Sequence, residues 1–309
     1  MSTLRLRLGT RASALARWQA GWVAAQLQNC GVEIELVPIT TKGDAQSRDP
    51  IGNLGSPGVF TKELQRALSE DRIDLAVHSL KDLPTEIVEG LCLTAVPERE
   101  SPHDALISRE ALAFEALPPG AAIGTGSLRR RAQLLHARRD LRMCGIRGNV
   151  DTRLEKLLSG QFDALILAEA GLKRLGLEAH ITQILSDSWM LPAVGQGALG
   201  IECRIADSAT REALALLDHP PTHQAVLAER SLLAALSGGC LAPIGAWART
   251  NAEGHLQLDA AVLSSDGSRR IAGSAGAPRD AAELLGRELA ESLIAQGATE
   301  LISAARVGD

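Results

Sequence analysis

Strand-like and helix-like spacings of apolar residues alternate twice along this chain, and that alternation restricts the fold more than any other feature. Leu4, Leu6 and Leu8 alternate with Arg5 and Arg7, the period-two pattern of a strand. Beyond Gly9, Leu15, Trp18, Trp22 and Ala25 fall at helical spacing, and Ser13 is placed to cap that helix. Val32, Ile34 and Leu36 alternate as a second strand. Phe60, Leu64, Ala67 and Leu68 mark a second helix, and residues 73–77 (IDLAV) read as a short buried strand. The order restarts near Ala121: strand 121–124, helix 127–139, strand 141–147, helix 150–160, strand 162–168 and helix 170–176. Strands separated by helices call for a parallel sheet with covering helices, so two α/β units in tandem are expected.

Length agrees with that division. A chain of 309 residues exceeds the roughly 250–300 that one core sustains, so two or three domains are expected. Polar, proline-bounded PERESPH (97–103) is a candidate hinge, and LPAVGQG (191–197) a second crossing. ALGIEC (198–203) then reads as a buried strand, and DHPPTH (218–223) as a linker. The remainder reads as a helix, a glycine-rich turn, a small sheet from 256–262 and 270–275, and an amphipathic helix over 278–297. No internal repeat is evident.

A net charge of −5 gives no ground for nucleic acid or an anionic membrane as partner. The N-terminal stretch has no apolar signal core, and no apolar run approaches the roughly 18–20 residues of a membrane span. Five widely spaced cysteines with no CxxC pair argue against a disulfide framework or zinc site. The expectation is a cytoplasmic protein without a metal.

Three stretches carry candidate chemistry. HSLKDLP (78–84) follows a buried strand, and in open α/β sheets ligands bind beyond the carboxyl ends of strands. His78, Ser79, Lys81 and Asp82 therefore form either a site or a solvated turn before Pro84. GTGSLRR (124–130) follows a strand and opens a helix, where N–H groups and the hydroxyls of Thr125 and Ser127 can hold an anion. The chain has 27 arginines but 5 lysines, and eight arginines fall between 129 and 153, opposed only by Asp140 and Asp151. Arg129, Arg130 and Arg147 lie at element ends and suit carboxylate or phosphate. Arg131, Arg138 and Arg139 read as a solvated helix face. Third, Cys240 sits in a Gly-Gly-Cys loop, accessible as a nucleophile or attachment site; a small buried hydrophobe is the alternative. Cys30, Cys92, Cys144 and Cys203 fit packing better.

These motifs together resemble the porphobilinogen deaminase (hydroxymethylbilane synthase) family. TRASALARWQA, FTKELQRAL, DLAVHSLKDLP, GTGSLRR, RGNVDTRL, LILAEAGLKRLG, LPAVGQGALGIECR and GGCLAPIG occur in the family's order. The resemblance implies two α/β domains like periplasmic-binding-protein lobes plus a small α+β C-terminal domain. Domain 1 would span 1–98 and 193–217, domain 2 99–192 and domain 3 218–309. It implies a dipyrromethane cofactor in thioether linkage to Cys240. Four porphobilinogens would add in turn with loss of ammonia, before hydrolysis releases a tetrapyrrole for haem and porphyrin biosynthesis. Lys81, Ser79, Thr125, Ser127, Arg129, Arg130, Arg147 and Gly148 would hold the cofactor. Arg11, Ser13, Arg153, Arg174 and Gln196 would hold substrate or growing chain, and Asp82 would stabilise a cationic pyrrole. Residues 51–60 match a lid, with Asn53, Pro57 and Phe60 in it; Asn53 and Pro57 stand where lysines are common, and Gly126 replaces a common serine. A monomer that hands its product to the next pathway enzyme is expected. Two other readings are a non-enzymatic two-lobed protein for a small anion, disfavoured by the Cys240 loop, and a thiol acyltransferase, disfavoured because no histidine is placed to activate Cys240.

Overall fold

A computed structural model describes residues 4–40, 61–237 and 242–307. The chain divides into two compact units, Met1–Glu100 with Ala198–His223, and Ser101–Gly197 with Gln224–Asp309.

The first unit is built on a five-stranded sheet. Its strands are β1 (Arg5–Thr10), β2 (Glu33–Pro38), β3 (Leu75–Ser79), β4 (Leu91–Ala95) and β10 (Leu199–Arg204), in the order β2-β1-β3-β10-β4. β1 runs parallel to β2 and β3, while β10 is antiparallel to both neighbours. Alternation along each strand assigns its faces. Leu6, Leu8, Leu75, Val77, Ile201 and Cys203 pack with α1 (Ala14–Asn29) and α6 (Ser208–Ala215). Ala76 points the other way, into a core with Leu64, Ala67 and Leu68 of α2 (Lys62–Ser69). Both faces of the sheet are thus covered, which is what its nearly continuous apolar strands require.

Ser13 caps α1 as expected, its Oγ accepting from Ala16 N at 3.3 Å. The buried face differs from the expected one. Gln19, Ala20, Val23, Ala24 and Leu27 face the sheet, whereas Trp18 is 40% exposed and Ala25 lies outside. Counting from the large tryptophans placed the stripe one residue off; the small alanines are what let the helix approach the strands.

In the second unit, β5 (Asp104–Ser108), β6 (Ala122–Gly124), β7 (Arg142–Cys144), β8 (Ala164–Ala168) and β9 (Gln183–Ile184) form a sheet in the order β7-β6-β8-β5-β9. It repeats the plan of the first: three parallel strands, an antiparallel fourth, then an edge strand. Helices α3 (Leu128–Ala137), α4 (Val150–Leu158) and α5 (Glu169–Arg174) follow β6, β7 and β8. The same unit holds an antiparallel meander of β11 (Ile244–Thr250), β12 (Leu256–Leu263) and β13 (Arg270–Ala277). α7 (Pro220–Ala235), which belongs to this unit from Gln224 onward, α8 (Ala282–Ala295) and α9 (Ala298–Val307) complete it, around a core that includes Leu232, Leu258, Leu289 and Leu301. α7 begins inside the stretch expected to be a linker, because prolines are tolerated in a helix's first turn, where N–H groups have no intrahelical partner. No helix among the described residues is long and apolar enough to cross a membrane.

Candidate active site

The carboxyl end of β3 runs into a single 3-10 turn, Leu80–Asp82. Leu80 and Leu83 are buried and anchor it, and Leu80 N donates to Ala198 O at 3.0 Å. Lys81 and Asp82 between them remain half-buried. Behind the turn, Gln19 Nε2 donates to Ser79 Oγ at 2.8 Å. His78 is buried, with Nε2 2.8 Å from Glu202 Oε2, and Gln65 Nε2 donates to the same carboxylate at 3.2 Å. His78 is therefore committed to the core, and the half-buried side chains of this turn are those of Ser79, Lys81 and Asp82. β1 pairs in parallel with β3, so Arg11 and Ser13, just past the end of β1, lie along the same edge of the sheet.

The second unit groups its candidates by the same rule. Thr125 and Ser127 lie past β6 and Arg147 and Gly148 past β7, on one edge of the parallel strands, while Arg174 ends α5, the helix that follows β8. Thr125 N donates to Cys144 O at 2.9 Å, and Ser127 Oγ caps α3 by accepting from Arg130 N. A Cβ at Gly126 would lie 2.9 Å from the Ile146 carbonyl oxygen, which explains glycine in place of serine there. Gly148 sits at φ 112°, the left-handed region that favours glycine, and its carbonyl accepts from Arg153 Nε at 2.8 Å. Arg147 is exposed. Arg174 is buried and donates to Gly197 O at 2.6 Å.

Of the three arginines expected to bind carboxylate or phosphate, the pair on α3 is buried. Arg129 and Arg130 are 4% and 6% exposed and converge on one carboxylate, Asp104, which is 0% exposed. Arg129 Nη1 donates to Asp104 Oδ2 at 2.6 Å and to Leu191 O at 2.7 Å. Arg130 Nε donates to Asp104 Oδ1 at 2.9 Å and its Nη1 to Ile166 O at 3.0 Å. Gln196 Nε2 joins at Asp104 Oδ1, 2.9 Å away, and also donates to Pro102 O. Burial pushes the Asp104 carboxyl up, but the two guanidiniums and Gln196 outweigh it and hold it far below the usual range. Burial pushes Arg129 down. Two buried cations on one anion leave a positive charge, and Arg129 Nε has no acceptor among the described residues. Asp104 alone therefore does not balance the charge of the pair.

Arg138 corrects another reading. It is no solvated side chain: its Nη1 donates to the carbonyls of Phe114 and Leu117 at 3.0 and 2.9 Å, and its Nη2 meets Asp140 at 2.5 Å. Arg131 and Arg139 are exposed, as read. Asp104 escaped sequence reasoning; its one signal was a charge opening the apolar strand DALIS. Cys240, Asn53, Pro57 and Phe60 lie outside the described residues. Among the described residues no three or more His, Cys, Asp or Glu side chains are grouped to hold a metal ion.

Two family models match this sequence. Residues 6–212 match "Porphobilinogen deaminase, dipyromethane cofactor binding domain", and residues 223–295 match "Porphobilinogen deaminase, C-terminal domain". The porphobilinogen deaminase of Pelobacter propionicus is 48% identical over 304 residues, covering 98% of this chain and 97% of that protein. That of Geobacter sulfurreducens is 48% identical over 305 residues, covering 98% and 95%. Among solved structures, the methionine binding protein MetQ aligns with 12% identity and a TM-score of 0.45, over 71% of this chain and 90% of that one.

Proposed function

Because the chain belongs to the porphobilinogen deaminase family, an enzyme family of tetrapyrrole synthesis that carries a dipyrromethane cofactor, we propose that its reaction is stepwise transfer. Four porphobilinogens join the cofactor in turn, each losing ammonia, and hydrolysis releases the tetrapyrrole. The observation that carries the residue assignments is the under-neutralised arginine pair: two buried guanidiniums share one carboxylate, and Arg129 Nε lacks an acceptor among the described residues. Such a cluster suits a ligand rich in carboxylates, and each pyrrole of this chemistry bears an acetate and a propionate.

The cofactor, when bound, supplies the pyrrole carbon at which the chain is extended. Arg129 and Arg130 hold one of its carboxylates, with the Thr125 and Ser127 hydroxyls and the first N–H groups of α3 beside them. Ser79, Lys81, Arg147 and Gly148 complete the binding set, and Cys240 supplies the thioether sulfur. Arg11, Ser13, Arg153, Arg174 and Gln196 are assigned to incoming substrate and growing chain. For Arg174 and Gln196 the assignment requires contact beside the hydrogen bonds each already makes within its own unit.

Asp82 is the catalytic carboxylate of this reading. The turn fixes its backbone through Leu80 and Leu83 while leaving its carboxylate half-buried. Loss of ammonia leaves positive charge on a pyrrole ring. A fixed carboxylate accepts the ring N–H and stabilises that charge, and Asp82 Oδ can take the proton that the ring carbon sheds. We further propose that the second unit comprises two domains, one around β5–β9 and one around β11–β13, since each sheet packs a core of its own.

The test of attachment is the Cys240→Ala chain. It should lack the two-ring mass increment that the parent carries on its Cys240 peptide, and it should be inactive. An active Cys240→Ala protein would remove the cysteine from the account.

A further inference from the structure

Asp104 opens β5 at the base of the arginine cluster and carries no role in the reaction so far described. Its two oxygens are used unequally. Oδ1 takes Arg130 through Nε and Nη2, at 2.9 and 2.7 Å, and Gln196 Nε2 at 2.9 Å. Oδ2 takes Arg129 through Nη1 alone, at 2.6 Å. Each guanidinium has a second tie, Arg129 to Leu191 O and Arg130 to Ile166 O. The two ties set each plane, because a guanidinium is rigid and its donors lie in one fork. Were the purpose of Asp104 only to neutralise a buried charge, a single arginine would suffice. A second buried cation keeping a donor without an acceptor would then be a pure cost.

We infer that Asp104 is a positioning residue for carboxylate recognition: it grips Arg129 by one nitrogen and, by neutralising only one of two guanidiniums, prepares the pair for a single ligand carboxylate. This rests on the proposed reading of Arg129 as a cofactor-binding residue. Asp104 itself touches no substrate. Its oxygens are filled by Arg129, Arg130 and Gln196.

The experiment follows cofactor loading by intact mass, a readout separate from turnover. Full-length chain produced without pyrrole supply is given porphobilinogen, and the two-ring increment is timed, with inorganic phosphate as a competing probe anion. Asp104→Asn should load about 10–100-fold more slowly, the effect of misplacing one charge-assisted contact. Asp104→Glu should recover part of the rate. Phosphate should inhibit the Asn variant at lower concentration than the parent, since its cluster carries one more positive charge; a merely structural defect would leave that competition unchanged. Should the Asn variant not fold, Asp104→Asn with Arg130→Gln restores the charge count and must load more slowly than Arg130→Gln alone, because Arg129 has lost its anchor. Parent-like loading by a folded Asp104→Asn chain, or equal loading by the double variant and Arg130→Gln alone, with Arg129→Leu impaired, overturns the positioning role alone. Parent-like loading by Arg129→Leu overturns the seat itself and this inference with it.

Discussion

Asparagine at position 82 separates charge from shape. It is nearly isosteric with aspartate and still accepts a hydrogen bond from a pyrrole N–H, but it carries no charge and takes no proton. With cofactor loading verified by mass, Asp82→Asn should lower kcat by about 10²–10⁴-fold, the range of a positioned acid–base group. KM should change less, since the lost interaction matters mainly in the transition state. Asp82→Glu should keep more activity than the asparagine variant. Steady-state kinetics within a few-fold of the parent for Asp82→Asn would remove its catalytic role. Arg138 calls for the opposite outcome. Leucine there strands the Phe114 and Leu117 carbonyls and frees Asp140. Urea unfolding should report a loss of about 1.5–3 kcal/mol with kcat little altered; unchanged stability would contradict the contacts described. At this scale the sequence revealed what sits beside a local signal. Asp82, Thr125 and Ser127 follow strands and open turns, so position alone made them candidates. Asp104 has no such signal, because its partners lie 25, 26 and 92 residues away. Arg138 was misread for the same reason, as its carbonyl partners come from a loop that no periodicity announces.

Elements meet at charges as well as at apolar faces. Asp74, just before β3, accepts from Arg7 of β1 through Nε at 3.0 Å and Nη2 at 2.7 Å, and from Arg204 of β10 at 2.9 Å. Burial pushes the Asp74 carboxyl up, but these arginines and the Arg7 backbone N–H outweigh it and bring it to about 2. A folded-state value below the unfolded one means the group stabilises the fold above the ordinary carboxylate range. That stability is lost as pH falls through about 2. Urea titrations should find Asp74→Asn less stable than the parent near neutrality, on the order of 1–2 kcal/mol after allowing for the partly exposed partners. The gap should close between about pH 4 and pH 2; a gap independent of pH would contradict the linkage. The elements themselves were legible where periodicity was long. Within the described residues both strand–helix–strand runs form, Ser13 caps α1 as expected, and Ser127, read as an anion-holding hydroxyl, caps α3. β4, β5 and β11 were passed over because five to seven residues rich in alanine, leucine and threonine carry little pattern of their own. The last helix expected from the sequence ends at Gly297, and α9 follows that glycine directly.

At the scale of the whole molecule, one strand plan occurs twice without a repeat in the sequence. Chain order hides it: the antiparallel strand is the last of the first sheet, β10, and the first of the second, β5. Apolar spacing predicts a parallel sheet in each unit but cannot say which distant strand will be inserted against its direction, since that choice depends on pairing across 120–128 residues in the first unit and 56–64 in the second. The residues assigned to one reaction come from both units, with Asp82 in the first and Arg129, Arg130 and Arg147 in the second. The most direct test of that assignment is therefore made on the intact chain. Mass spectrometry of the purified protein should find the two-ring increment. After a brief pulse of porphobilinogen it should find a ladder of species heavier by one, two, three and four further rings, each step short by one ammonia. A protein that binds porphobilinogen reversibly while its covalent mass never advances would contradict the account.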